Sequence, residues 1–248
     1  VVLGIDIGGS GIKGAPVDLE RGELVEERLR IDTPAGAEPD AVAEVVAGIV
    51  SHFGHVGGVI GCTFPAVVLG GVMRTAANVS EAWIGTDAAA LFAAATDREM
   101  VVLNDADAAG RAEVRFGVGR DHPRGVLLML TLGTGIGSAL FVDGRLVPNT
   151  ELGHVSLGDE TVEERAAASV RKEKDLSWPA WAARLSEAIN AIDALVWPDV
   201  VVLGGGVSRK AEKFVPLLDV RPTVATAVLR NEAGIVGAAL AAHEHHPG

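Results

Sequence analysis

The sequence predicts an α/β protein made of two duplicated halves that face each other across a cleft. Three observations carry that reading. Asp6-Ile7-Gly8-Gly9-Ser10-Gly11-Ile12-Lys13-Gly14-Ala15-Pro16-Val17-Asp18 lies without a gap over Thr131-Leu132-Gly133-Thr134-Gly135-Ile136-Gly137-Ser138-Ala139-Leu140-Phe141-Val142-Asp143, at an offset of 125 positions in a chain of 248. In each copy an apolar run enters, a glycine turn follows and a second apolar run leaves, a strand–turn–strand pattern. Hydrophobic residues make up 48% of the chain and aromatics only 4%, with no Tyr, which suits small side chains packed between layers. Glycines let backbone N–H groups approach an anion that a side chain would fend off. Two such turns suggest a phosphate clamped between the halves, with phosphoryl transfer as the first expectation.

The elements follow in order. Val1–Ile7 and Lys13–Val17 read as a hairpin, Leu19–Glu23 as a turn and Leu24–Ile31 as a third strand with interleaved charges. Thr33–Pro39 is a loop, and Asp40 is the expected cap of a helix to about Phe53 that buries Val42, Val45, Val46 and Ile49. A strand is expected over Val56–Gly61, and a hairpin over Val67–Met73, broken by Gly70-Gly71. Thr86-Asp87 opens a helix with Leu91 and Phe92 inward, and Met100–Leu103 is a buried strand running into Asn104-Asp105-Ala106-Asp107 and an Ala-rich helix. After the second glycine segment, Asp143-Gly144 marks a hairpin turn before a strand at Arg145–Val147. A helix is expected over Thr161–Lys174, with Arg171–Asp175 as a mobile loop. A longer helix follows over Pro179–Val196, with Trp181, Leu185, Ile189, Ile192 and Leu195 on its apolar face. Val200–Leu203 is a strand ending in Gly204-Gly205-Gly206, and Asn231 opens a last helix to about His243.

Composition excludes several classes of function. The single cysteine, Cys62, cannot form an internal disulfide or a multi-cysteine metal site, and fits a reducing compartment. No apolar run reaches the roughly 20 residues that span a bilayer, so no membrane association is expected and the cytoplasm is the expected location. A net charge of −12 argues against nucleic acid as a partner but leaves room for a local basic pocket.

Gly9-Ser10-Gly11-Ile12-Lys13-Gly14 is a literal G-x-G-x-x-G, yet a dinucleotide fold needs a helix to follow, and Pro16 stands where it would run. No Walker A loop is present. Asp105, at the end of a strand, is placed to take a proton from an attacking hydroxyl. The same position suits a helix N-cap, although Asp107 reads as the better-placed cap. Glu151-Leu152-Gly153-His154 sets a carboxylate and an imidazole three residues apart, a pair suited to two neighbouring sugar hydroxyls and lacking the further ligands of a zinc site. His243, His245 and His246 read as a solvated tail.

Taken together, these segments resemble the ROK family of sugar kinases, and within it the branch that uses polyphosphate. The resemblance runs from Val2–Gly14 through Leu132–Gly137 and Gly204–Ser208 to Asn231–Ala239. It implies two actin-like, ribonuclease-H-like domains: a small one over 1–107, onto which the terminal helix 231–245 packs back, and a larger one over 108–248. It implies transfer of a phosphoryl group from inorganic polyphosphate, or from ATP, to the 6-hydroxyl of glucose. Asp105 would be the general base. Asn78, Asn104, Glu151, His154 and Glu163 would hold the sugar, and Gly8, Gly9, Ser10, Gly11, Lys13, Gly133, Thr134, Gly135, Gly205 and Gly206 the phosphates. Asp6 would orient Mg2+ through water. A homodimer is expected. The chain departs from the family in lacking its cysteine-rich zinc motif, so zinc is not expected, and in reading Ala167-Ala168 where Ser-Gly is usual. Two other readings stay open: an ATP-dependent hexokinase of the same family, and a non-catalytic sugar-sensing domain. For a polyanionic donor, Lys13, Arg171–Lys174 and Arg209, Lys210 and Lys213 are candidate guides.

Overall fold

The structure is a computed structural model that describes residues 1–76 and 79–245. Asn78 and His246 lie outside the described residues. Two compact units are present, one of residues 1–112 with 232–248 and the other of residues 113–231.

In the first unit, β1 (Val2–Gly8) and β2 (Gly11–Asp18) form the expected hairpin, paired from Val2↔Val17 to Gly8↔Gly11. The expected third strand is split into β3 (Glu23–Leu24) and β4 (Leu29–Ile31), both antiparallel to β2. Val17 pairs with Leu24 but Gly14 with Leu29, so two extra residues are extruded opposite Ala15-Pro16. Pro16 has no N–H to give a ladder, and Glu26-Glu27-Arg28 gains nothing from being drawn into the sheet.

Helix α1 (Pro39–His52) buries Val42, Val46 and Ile49 as expected. Its cap is not Asp40: Pro39 takes the first helical position, where its missing N–H costs nothing, and Asp40 sits in the first turn. β5 (Ile60–Phe64) starts four residues later than expected, because Gly57-Gly58 forms a bend with Gly58 at φ +84°. β6 (Val68–Leu69) and β7 (Val72–Met73) form the small expected hairpin. In α2 (Ala88–Thr96) the Asp87 carboxylate accepts the Ala90 N–H, and Phe92 is fully buried. β8 (Met100–Asn104) leads directly into α3 (Asp105–Phe116). The sheet order is β3-β2-β1-β5-β8, with β1, β5 and β8 parallel.

The second unit repeats this order as β11-β10-β9-β14-β15. β9 (Val126–Leu132), β10 (Ile136–Val142) and β11 (Arg145–Val147) are the antiparallel meander. A short ribbon of β12 (Ser156–Leu157) and β13 (Glu160–Thr161) precedes a helix that the sequence reads as continuous. That helix is broken into α4 (Val162–Ala166) and α5 (Ala168–Glu173) at Ala167, whose ψ of 154° is extended. A reciprocal Thr161–Glu164 capping box starts α4. Arg171 to Glu173 are therefore helical, not a loop. Helix α6 (Trp178–Val196) buries Trp181, Leu185, Ile189 and Ile192, while Leu195 points out and is 63% exposed. β14 (Val200–Gly204) and β15 (Thr223–Thr226) run parallel to β9, completing the sheet.

The last helix, α7 (Ala233–His245), begins two residues after the expected Asn231, behind a 3-10 turn over Arg230–Glu232. It belongs to the first unit and packs on β1 and β5. A Cβ at Gly4 or Gly61 would collide with the backbone of Ile235 or Ala238, so those glycines let the helix lie directly on the sheet. The chain leaves the first unit within α3, between Ala112 and Glu113, five residues past the expected boundary of 107/108.

Candidate active site

In the first unit the candidate residues gather at the carboxyl ends of the three parallel strands, the edge where open α/β sheets bind ligands. Asp6 pairs in register with Thr63, and Phe64 with Asn104. The Thr63 hydroxyl donates to Asp6 Oδ1 at 2.8 Å and accepts the Ile7 N–H at 3.2 Å, while Lys13 Nζ lies 3.5 Å from Asp6 Oδ2. A Cβ at Gly234 would press on the Asp6 carboxylate, so α7 closes one side of it. A single carboxylate held by a hydroxyl and an ammonium suits a hydrated Mg2+, which keeps its waters and takes few protein ligands. Among the described residues no group of three or more His, Cys, Asp or Glu is arranged to hold a metal ion.

Asn104 supplies the cap that the sequence assigns to Asp107. Its Oδ1 accepts the N–H groups of Ala106 at 2.9 Å and Asp107 at 3.0 Å, and its Nδ2 donates to Ala66 O at 3.1 Å. Asn104 thereby fixes the junction at which Asp105, half-buried, opens α3. Sequence reasoning missed Arg30. Its guanidinium donates to Ser10 O at 2.8 Å and to Asp32 at 2.6 Å, and a Cβ at Gly11 would strike it. The only hint in the sequence is a basic residue in an otherwise apolar Leu29–Ile31 strand. Thr33 adds a hydroxyl to Gly8 O at 2.5 Å.

In the second unit the structure brings Glu151, His154 and Glu163 together. His154 Nε2 lies 3.5 Å from Glu163 Oε1, and its Nδ1 lies 3.9 Å from Glu151 Oε2. Burial raises the Glu151 pKa above the ordinary carboxylate range; the imidazole of His154 opposes that shift and the charge of Glu163 adds to it. Gly153 has no room for a Cβ against Ile136 O, and the buried Ser138 hydroxyl accepts the Leu152 N–H at 2.9 Å and donates to Thr150 O at 2.7 Å. These contacts clamp the 150–154 segment onto β10. Glu163 also accepts the Ile136 N–H at 3.2 Å, so it braces the second glycine turn.

That turn differs from the first in length. β1 and β2 close through a two-residue turn, Gly9-Ser10, between the paired Gly8 and Gly11. β9 and β10 pair Leu132 with Ile136, leaving the three residues Gly133-Thr134-Gly135, with the Gly133 N–H bonded to Gly135 O at 3.0 Å. The gapless alignment therefore slips by one residue in register. The space where a Cβ would stand at Gly133 and at Gly206 is open, a cradle an anion can enter. Gly205, by contrast, has φ +83° and lies against the Leu132 backbone, which brings the Gly204-Gly205-Gly206 segment beside the second turn.

Comparison with known proteins agrees with this architecture. The chain is 51% identical over 240 residues to a polyphosphate glucokinase of Mycobacterium tuberculosis (strain CDC 1551 / Oshkosh), covering 96% of this chain and 90% of that one. The crystal structure of an inorganic polyphosphate/ATP-glucomannokinase from Arthrobacter sp. strain KM matches with a TM-score of 0.94 and 45% identity over 99% of both chains. A ROK family glucokinase from Streptomyces griseus, solved with glucose and AMPPNP, shares the fold at a TM-score of 0.84 and 21% identity, over 98% of this chain and 99% of that one. The ROK family model matches residues 2–168, two-thirds of the sequence, and the chain belongs to the ROK family.

Proposed function

We propose that the protein is a polyphosphate glucokinase, moving a phosphoryl group from inorganic polyphosphate to the 6-hydroxyl of glucose. The observation that carries the reading is the 51% identity, over nearly the full chain, to a protein of that name. The name of the Arthrobacter relative includes ATP, which supports ATP as a second donor.

In this reading Asp105 accepts the proton of the 6-hydroxyl as its oxygen bonds to the terminal phosphorus. The P–O bond to the rest of the donor breaks and leaves a shortened polyphosphate. Support for Asp105 comes from its place at the end of β8, fixed by Asn104. Glu151, His154 and Glu163 bind other sugar hydroxyls, and their mutual contacts hold the acceptors in place. Asn104 serves as the positioning residue for Asp105, and Asn78 is kept as a sugar ligand on the family resemblance alone. The N–H groups of the two glycine turns and of Gly205-Gly206, with Ser10 and Lys13, bind phosphate. Asp6, with Lys13 and Thr63 beside it, would hold hydrated Mg2+, which when bound neutralises charge on phosphoryl oxygens. Cys62 is buried and in no disulfide, with burial and the Asp6 charge raising its pKa, in keeping with a cytoplasmic enzyme. The expected homodimer is part of the same proposal.

The test is glucose 6-phosphate formation with polyphosphate or ATP, with and without magnesium, for the wild type and for Asp105→Ala. The variant should keep its melting temperature within a few degrees and lose at least about 10²-fold in kcat. Substantial residual turnover would remove Asp105 from the chemistry. Glucose binding without consumption of either donor would instead favour a sugar sensor.

A further inference from the structure

Two basic segments about forty residues apart in sequence meet at one ring in the second unit, and both lead away from the second glycine turn. α5 is tied to that turn by Ser169, whose N–H donates to Gly133 O at 3.1 Å and whose hydroxyl donates to Thr134 O at 2.6 Å. Two residues on, about 3 Å along a helix axis, Arg171 sets its guanidinium carbon 3.7 Å from the centroid of the Trp178 ring. The 3-10 segment Gly206–Lys213 leaves from beside the same turn, since Gly205 lies against Leu132. Lys213, at its far end, places Nζ 5.9 Å from that Trp178 ring.

The ring is held fast. It stacks on Phe214 at 6.0 Å and 14°, and meets Trp181 edge-on at 6.0 Å. With Arg171 over it, Trp178 acts as a support for cations and not as a platform for a nucleobase. Cations over an aromatic ring stay charged and keep donors for an anion.

Charge pairing separates these two cations from Lys174, and their place at the Trp178 ring separates them from Lys172, Arg209 and Lys210. Lys174 is engaged by Glu160 at 3.6 Å. Among the described residues neither Arg171 nor Lys213 forms an ion pair, and Arg171 Nε is buried without a hydrogen-bond partner. Glu173, Asp175 and Glu212 are the carboxylates of the same segments, all exposed. Lys172, Arg209 and Lys210 are exposed and add to the positive field.

We infer that Arg171 and Lys213, mounted on Trp178, form an outer subsite that binds the units of a polyphosphate donor beyond those held at the Gly133–Gly135 turn. This rests on the polyphosphate reading above. Such a subsite serves a long polymer and not a short one, so it governs chain-length preference.

The experiment compares KM for a long-chain polyphosphate with KM for tripolyphosphate in the full-length wild type, Arg171→Gln, Lys213→Gln and the double variant. The double variant should raise the long-chain to tripolyphosphate KM ratio about tenfold, the equivalent of about 1.4 kcal/mol. Its long-chain KM should also rise less steeply with salt, because two fewer charges face the polymer. Arg171→Lys, which keeps the charge, should restore most of the ratio. Lys213 is exposed, so Lys213→Gln reports even if loss of Arg171 disturbs packing. A wild type that uses polyphosphate, with folded variants whose ratio and salt dependence are unchanged, overturns the subsite alone. A wild type that forms no glucose 6-phosphate from polyphosphate overturns both readings.

Discussion

Asn104 and Asp105 are neighbours whose roles the sequence cannot separate, because a strand–helix junction rewards both a cap and an acid. The hydrogen bonds divide them unequally: Asn104 Oδ1 accepts the N–H groups of both Ala106 and Asp107, whereas Asp105 Oδ1 shares only that of Ala106, at 2.8 Å. Asn104→Ala should therefore cost about 1–2 kcal/mol of stability, read by denaturant unfolding, whereas Asp105→Ala should cost less, because the Ala106 N–H that Asp105 shares keeps Asn104 as its acceptor. Glu151 gives a pH test. Its pKa is raised in the folded state, so the native protein binds the extra proton and stability falls as pH rises from the ordinary carboxylate range through the folded value. Glu151→Gln should then melt higher than wild type at neutral pH, the gain vanishing below the ordinary range, while KM for glucose rises at least about tenfold. An unchanged glucose KM would remove Glu151 from the sugar site. The bracing of Ile136 by Glu163 was not legible, since the two are 27 positions apart and nothing local links them.

The two hairpins were legible as elements because apolar runs flank glycines in both. Their one-residue difference in register was not, since Glu163 and the Gly204–Gly206 segment, both distant in sequence, shape the second turn. The break at Ala167 was equally hidden: no Gly or Pro marks it, and its cause is tertiary, with Ser169 bound to Gly133 and Thr134. The glycines themselves make contrasting predictions. At Gly133 a methyl meets open space, so Gly133→Ala should leave the melting temperature within about 2 °C and raise KM for the donor. At Gly205 the positive φ and the Leu132 backbone exclude a side chain, so Gly205→Ala should lower the melting temperature by several degrees. Equal effects of the two substitutions on stability would contradict the assignment of one to ligand space and the other to packing.

For the whole molecule, the repeated strand order in the two units explains why a duplicated segment could be read from sequence alone: each copy is the central hairpin of its own sheet. The placement of α7 was expected only through family resemblance, because an Ala-rich helix buried on nearly every side has no polar face to show which surface it covers. Its contact is direct, backbone against backbone at Gly4 and Gly61. Gly61→Ala should cost at least about 2–3 kcal/mol by forcing the helix off the sheet; a melting temperature equal to wild type would refute that packing. The same contact sets a timetable for synthesis. Once the ribosome has passed Ala112, the first unit still lacks the helix that covers β1 and β5, and some 120 residues of the second unit must be made before Ala233 appears. At about 5–20 residues per second this is a wait of roughly 6–24 s. Through it the α7 face of the sheet, whose β1 carries Asp6 and whose β8 leads into Asp105, lacks its cover, so the unit begun first is the unit finished last.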